Sequence, residues 1–191
     1  MNASVFCRAN LNYVNGTEVQ PIAVDIRNAR ECPPGDGWEV HGFELLPHVS
    51  SVSDFDDETL LTEVHHQEMA AFAKALTGCD HALVSGHIRR NPEQQAAHAD
   101  LGPIQFVHSD FAPSYGDLIR ERYRSNSPET EASLRNAGID AATVASASRL
   151  LILQFWRNVG PEKMDLPIAF CDCQSTEASD ILPMPVSNYA G

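Results

Sequence analysis

The hydrophobic pattern changes period several times along the chain, and each change predicts an element. Residues 4–14 alternate loosely, Asn15-Gly16 is a turn signal, and residues 22–27 alternate apolar and polar positions as a half-buried strand does. Residues 31–38, with Pro33, Pro34, Gly35 and Gly37, predict a loop. Residues 41–48 form a short apolar segment closed by Pro47, with His41 and His48 in turn-like, exposed surroundings. The strongest helix is predicted to begin near Ser53 or Asp54. Asp56, Asp57 and Glu58 lie in its first turn, where the helix dipole favours negative charge. Leu60, Leu61, Val64, Phe72, Ala75 and Leu76 make one helical stripe, and Gly78 is the stop signal.

Beyond Gly78 the pattern predicts a strand over residues 80–90, a polar loop over 91–102, and a short buried strand over 103–111. Pro113, Ser114 and Gly116 turn the chain into three helices, over residues 117–125, 129–136 (ending at Gly138) and 141–148. Residues 149–157 are almost unbroken in apolar character, which predicts a core strand covered on both faces, with Trp156 in the core. A loop over 161–167 and a short strand over 168–171 follow, and from Gln174 the chain is polar and proline-rich.

Charge and length narrow the function. The chain of 191 residues suits a single domain, 1–191, with one core. Its formal net charge of −13, from 26 acidic and 13 basic residues, argues against a nucleic-acid or anionic-membrane partner. No apolar run approaches the ~20 residues of a bilayer span, and the first residues lack the basic and apolar regions of a signal peptide. Five cysteines at irregular spacing (Cys7, Cys32, Cys79, Cys171, Cys173) suggest reduced thiols and a cytoplasmic protein. No G-x-S-x-G appears, so a serine hydrolase has little support.

The chemistry-bearing stretch is the predicted strand ending in His108-Ser109-Asp110. Alternation along a strand points His108 and Asp110 the same way. A neutral imidazole nitrogen and a carboxylate oxygen are two corners of the 2-His-1-carboxylate triad that holds non-haem Fe(II). The alternative is a surface or hydrogen-bonded pair at a strand end. Within the long helix, His65 and Glu68 are i,i+3 neighbours, read as a solvated face before a metal pair.

Several stretches, taken in order, resemble one family, the CmcJ/NvfI group of fungal and bacterial oxidoreductases related to cephalosporin 7-alpha-methoxylation proteins and to a fungal endoperoxide-forming oxygenase. They are Val24-Asp25-Ile26-Arg27, His41-Gly42-Phe43-Glu44-Leu45, Asp54-Phe55-Asp56-Asp57 with its helix and Thr77-Gly78-Cys79, His87-Ile88-Arg89-Arg90, Val107-His108-Ser109-Asp110-Phe111, and Phe155-Trp156-Arg157 with Asp165-Leu166-Pro167-Ile168-Ala169-Phe170-Cys171-Asp172. The resemblance implies a mainly β fold with flanking helices (α+β), a double-stranded β-helix of jelly-roll or cupin type. It implies Fe(II) and 2-oxoglutarate as cofactors, and hydroxylation or desaturation of a small molecule, in secondary metabolism. It makes His108 and Asp110 the first two iron ligands. Arg89 matches a family arginine that faces the site, where a guanidinium holds a carboxylate; the other reading of Arg89 and Arg90 is a solvated strand end. The helices between Tyr115 and Ser148 would cap the site and set substrate choice.

The sequence departs from the family at Asn158, where the family has proline, and at Cys79, where it has alanine. The larger departure is that all eight histidines lie at or before His108, and that no Arg or Lys follows Lys163. The resemblance thus covers the N-terminal two-thirds of the family fold, without its distal histidine and cosubstrate clamp. Three readings stay open: part of a longer enzyme, a remnant that serves as a binding or interaction module and pairs as a homodimer through an open sheet edge, or a rearranged site completed by His41, His48, His87 or His98.

Overall fold

The structure is a computed structural model that describes residues 3–16, 18–31, 37–90, 106–125, 127–164 and 167–183. The chain divides into two compact units, one from Met1–His48, Arg89–Asp110 and Met164–Gly191, the other from Val49–Ile88 and Phe111–Lys163.

The first unit is built on a hairpin of β1 (Val5–Asn15) and β2 (Glu18–Arg27), antiparallel from Asn15 opposite Glu18 to Val5 opposite Arg27. Gly16 takes φ +66° in the turn, a conformation that costs glycine nothing. Val24 and Ile26 are half-buried while Asp25 and Arg27 are exposed, as the alternation predicts. Phe6 sits in a bulge between Val5 and Cys7, and is 73% exposed. Pro21 has no N–H for a ladder and stands on β2, an outer strand among the described residues. The open end of the hairpin is tied by Arg27, whose guanidinium donates to the Ala3 carbonyl at 2.7 Å, and by Ser4 N–H donating to the Glu31 carboxylate at 3.0 Å. A short helix, α1 (Gly37–His41), falls where a loop is predicted at its first residues; residues 32–36 lie outside the described residues.

The second unit is helical. The long helix begins at α2 (Glu58–Leu60), passes through a π turn (Leu61–His65) and continues as α3 (His66–Thr77). Asp57, not Asp54, is the cap: its carboxylate accepts from the N–H groups of Thr59 and Leu60 at 2.8 and 3.2 Å. Gly78, at φ +67°, closes the C-terminus with its N–H on the Lys74 carbonyl. Leu61 is the residue of the apolar stripe that is buried; Met69, outside the stripe, and Val52 are buried as well. The three predicted helices all form, as α4 (Tyr115–Arg124), α5 (Pro128–Ala137) and α6 (Ala141–Ser146). Ser127 caps α5 with Pro128 in its first turn, and Ile139 N–H returns to the Leu134 carbonyl past Gly138. Leu134 and Thr130 are the buried residues of α5. Arg120 on α4 donates to the Ala147 carbonyl at the end of α6, at 2.6 Å.

The predicted strands over residues 80–90, 149–157 and 168–171 are not formed, and no strand forms over 106–111, the described part of the one predicted over 103–111. The only sheet among the described residues is the two-stranded hairpin. An apolar run becomes a strand only where another strand takes its N–H and C=O groups, and these runs have no such partner among the described residues. Trp156, predicted in the core, is 45% exposed, and Phe155 is 41% exposed while its ring meets Phe72 at 5.8 Å.

Glu68 pins the segment before the helix to its side. Its carboxylate accepts from the Ser50 hydroxyl and, at 2.6 Å, from Ser51 N–H, so the group is held down to about 2 from an ordinary 4.5, the Ser50 bond being the largest cause. A carboxyl depressed in the folded state adds stability above its unfolded value and loses it as pH falls through its folded one. Glu68→Gln is therefore expected to lower stability at neutral pH by about 1–2 kcal/mol. Denaturant melts at stepped pH should show that deficit shrinking between about 4.5 and about 2.

Candidate functional site

His108 and Asp110 meet in space, though not on a strand. The segment is anchored to β1 by one bond, Val107 N–H donating to the Asn12 carbonyl at 2.8 Å. From there a bend brings His108 Nδ1 to 2.8 Å from the Phe106 carbonyl. A carbonyl only accepts, so Nδ1 carries the proton and Nε2 is the nitrogen that looks outward. That Nε2 lies 3.4 Å from Asp110 Oδ1, and the two side chains are 30% and 39% exposed. The Phe106 ring packs against the imidazole at 5.2 Å.

This pair suits two neighbouring positions on a divalent ion. At bond lengths of about 2.1 Å, adjacent ligands of an octahedral ion stand roughly 3 Å apart. The Nδ1–carbonyl bond is the outer contact that usually orients a ligand histidine. A third corner is missing among the described residues, where no group of three His, Cys, Asp or Glu side chains could hold a metal. His41 is bonded through Nδ1 to Asp172, and His87 through Nε2 to Glu58. His98 lies outside the described residues. Arg89 is half-buried and belongs to the same compact unit as His108 and Asp110, on a segment that is not a strand; Arg90 is exposed. Arg157 lies over the Phe55 ring, with its guanidinium carbon 5.8 Å from the ring centroid.

Two polar clusters were not readable from spacing. In the first unit, His41 Nδ1 stands 3.0 Å from both oxygens of Asp172, 131 residues away. His41 is only 13% exposed at its side chain, against the exposed position expected of it. The His41 bond, the largest cause, holds Asp172 below the usual carboxylate range. Asp172 also caps the turn Cys173–Ser175 by accepting from Gln174 N–H, and Cys173 Sγ reaches the Val40 carbonyl at 3.0 Å. The Phe43 and Phe170 rings stack beside them, 5.6 Å apart. The His41-Gly42-Phe43 and Phe170-Cys171-Asp172-Cys173 stretches thus pair residue against residue. In the second unit, Glu58, His87 and His66 form a chain of contacts at 3.0 Å each. His65 and Glu68 lie at 3.4 Å, but Glu68 is engaged by Ser50 and Ser51, a structural tie and not a solvated face. Cys7, Cys79, Cys171 and Cys173 are free thiols, and Cys32 lies outside the described residues. Among the described residues no helix is long and apolar enough to cross a membrane.

Comparison with known proteins places this chain among oxidoreductases. Residues 6–189 match the family described as "Oxidoreductase/YMDC permease-like domain". The chain is similar to hydroxylase/desaturase CTB9 of Cercospora beticola, 26% identical over 171 residues, which cover 83% of this chain and 48% of that protein. It is also similar to oxidoreductase chry3 of Gibberella zeae, 25% identical over 100 residues, 44% of this chain and 26% of that protein. The chain spans about half the length of the first relative and about a quarter of the second. No solved structure matches.

The pairing of the two motifs at Gly42 gives a sharp expectation. Gly42 has φ +80°, and a Cβ there would stand 3.4 Å from Cys173 Cβ. Gly42→Ala is expected to destabilise by about 1–2 kcal/mol, the cost of a left-handed L residue. Gly116→Ala, in α4 with open space around it, should instead stabilise by up to about 1 kcal/mol. Thermal unfolding of the two variants should move the midpoint in opposite directions.

Proposed function

The chain belongs to the Oxidoreductase/YMDC permease-like domain family, and from that premise we propose that it is a domain of an Fe(II)- and 2-oxoglutarate-dependent oxidoreductase of the CmcJ/NvfI type that hydroxylates or desaturates a small molecule. The observation that carries this reading is the His108 Nε2–Asp110 Oδ1 pair at 3.4 Å, with the other imidazole nitrogen fixed by the Phe106 carbonyl. The printed name of the relative CTB9, hydroxylase/desaturase, supports the reaction class. A jelly-roll or cupin-like double-stranded β-helix is the fold this reading expects for the whole protein.

His108 and Asp110 would hold the iron at two corners, and the third would come from outside the described residues. Held there, Fe(II) would let O2 act as the oxidant of a substrate C–H bond, with 2-oxoglutarate as the co-substrate that is oxidised alongside it. The chain's own part is positional. The Phe106 carbonyl keeps His108 in the tautomer whose Nε2 lone pair is available, and Asp110 brings a carboxylate oxygen beside it as a second donor. Arg89 would receive a carboxylate of the cosubstrate through a guanidinium fork. A second reading, a binding module without turnover, is favoured by the lack of a third converging ligand among the described residues.

Anaerobic addition of Fe(II) and 2-oxoglutarate to the purified chain separates the two. The oxygenase reading expects a visible charge-transfer band in the wild type that disappears in His108→Ala and Asp110→Asn. Arg89→Gln should keep iron binding and weaken 2-oxoglutarate binding roughly tenfold or more, as loss of a charge-assisted bond does. A band that survives both ligand substitutions would remove His108 and Asp110 from the site, and no band in the wild type would favour the binding module.

A further inference from the structure

The Glu58–His87–His66 chain lies in the helical unit and takes no part in the reaction proposed above. His87 uses both ring nitrogens: Nε2 faces Glu58 Oε2 at 3.0 Å, and Nδ1 faces His66 Nε2 at 3.0 Å. The two rings are edge to face, with centroids 5.1 Å apart. A carboxylate accepts and cannot donate, so the proton of neutral His87 stays on Nε2. Its Nδ1 lone pair then points at His66, which fills it with its own Nε2–H. Two imidazole nitrogens thus converge on one shared proton.

The backbone is arranged for this meeting. Glu58 and His66 are eight residues apart, which on a regular α-helix sets them about 80° apart around the axis. The π turn Leu61–His65 lies between them, and His66 N–H bonds to the Leu61 carbonyl, five residues back. One extra residue in the turn reduces the offset to about 20°. Glu58 and His66 therefore share a face, and His87 bridges them. A π turn stretches the hydrogen-bond ladder and is seldom found in a helix without a local use.

We propose that His66 Nε2 and His87 Nδ1 form a two-histidine site for a divalent transition metal ion of the zinc class, with Glu58 as the carboxylate that orients His87. The ion takes the place of the shared proton: the His66 proton moves from Nε2 to Nδ1 through solvent, and both rings stay neutral. Zinc–nitrogen bonds of about 2.0–2.1 Å at a tetrahedral angle set the nitrogens roughly 3.3 Å apart, a few tenths of an ångström wider than the present contact. Imidazole nitrogen selects zinc, copper or nickel over calcium or magnesium. The remaining coordination positions go to water or to an incoming ligand, since no third side chain converges there among the described residues.

The test is calorimetric titration of Zn(II) into the chelator-stripped full chain carrying His108→Ala, so that zinc at that residue does not count. One saturable site is expected, weakened at least tenfold by His66→Gln or by His87→Gln, and roughly tenfold by Glu58→Gln, the usual effect of losing the orienting carboxylate. Far-UV circular dichroism of the metal-free variants checks that they fold. Should one unfold, imidazole NMR signals of the His108→Ala chain decide, since Zn(II) must shift those of His66 and His87. Absence of a saturable site, binding that survives both histidine substitutions, or His66 and His87 signals unmoved by zinc would overturn the proposal and leave the chain as a structural clasp.

Discussion

A half-buried imidazole must find partners for two ring nitrogens, and that single requirement organises the polar interior of both units. His41 takes a carboxylate, Asp172; His87 takes Glu58 on one side and His66 on the other; His65 leans on Glu68; His108 places one nitrogen on the Phe106 carbonyl and the other beside Asp110. In each case an acceptor decides which nitrogen holds the proton, and so which one remains to do chemistry. A chain with twice as many acidic as basic residues has the carboxylates for this without recruiting arginine or lysine. The result is a set of histidines locked in orientation, a prerequisite for metal binding and for proton transfer alike.

The same contacts supply long-range structure where hydrophobic burial is thin. Buried apolar side chains among the described residues are few: Ala3, Val52, Leu61, Met69 and Leu134. The cluster of His41, Asp172 and Cys173, with stacked Phe43 and Phe170, joins stretches 131 residues apart using a histidine–carboxylate hydrogen bond, one thiol–carbonyl contact and one aromatic pair. Such a junction is sensitive to a single added methyl group, because Gly42 is both left-handed in its backbone and close to Cys173.

Family membership and the geometry of His108 and Asp110 bear on function at different levels. Family membership gives a class of reaction. The bend at residues 106–110 gives a reason why these two residue types at this spacing suit a cation: one nitrogen freed by a backbone carbonyl, one oxygen a little over 3 Å away. The pair survives the loss of the predicted strand because i and i+2 side chains can also meet across a bend.

What the sequence determined by itself was everything decided within a few residues. Asn15-Gly16 made the hairpin, Gly78 ended the long helix, Gly138 ended α5, and His-x-Asp made its pair. Capping and turn chemistry act through hydrogen bonds between near neighbours, so their signals are written locally. Only the tertiary structure decided which apolar runs became strands and which carboxylate served which histidine. Residues 149–157 have the composition of a core strand and no ladder partner among the described residues, and a strand exists only as half of a pair. The His41–Asp172 and Glu58–His87–His66 contacts leave no periodicity in the chain, since residues tens of positions apart become neighbours only after the backbone has folded. The π turn that brings Glu58 and His66 onto one face lies inside a stripe that reads as ordinary helix, because one inserted residue changes the register of a face without changing the composition that predicts it.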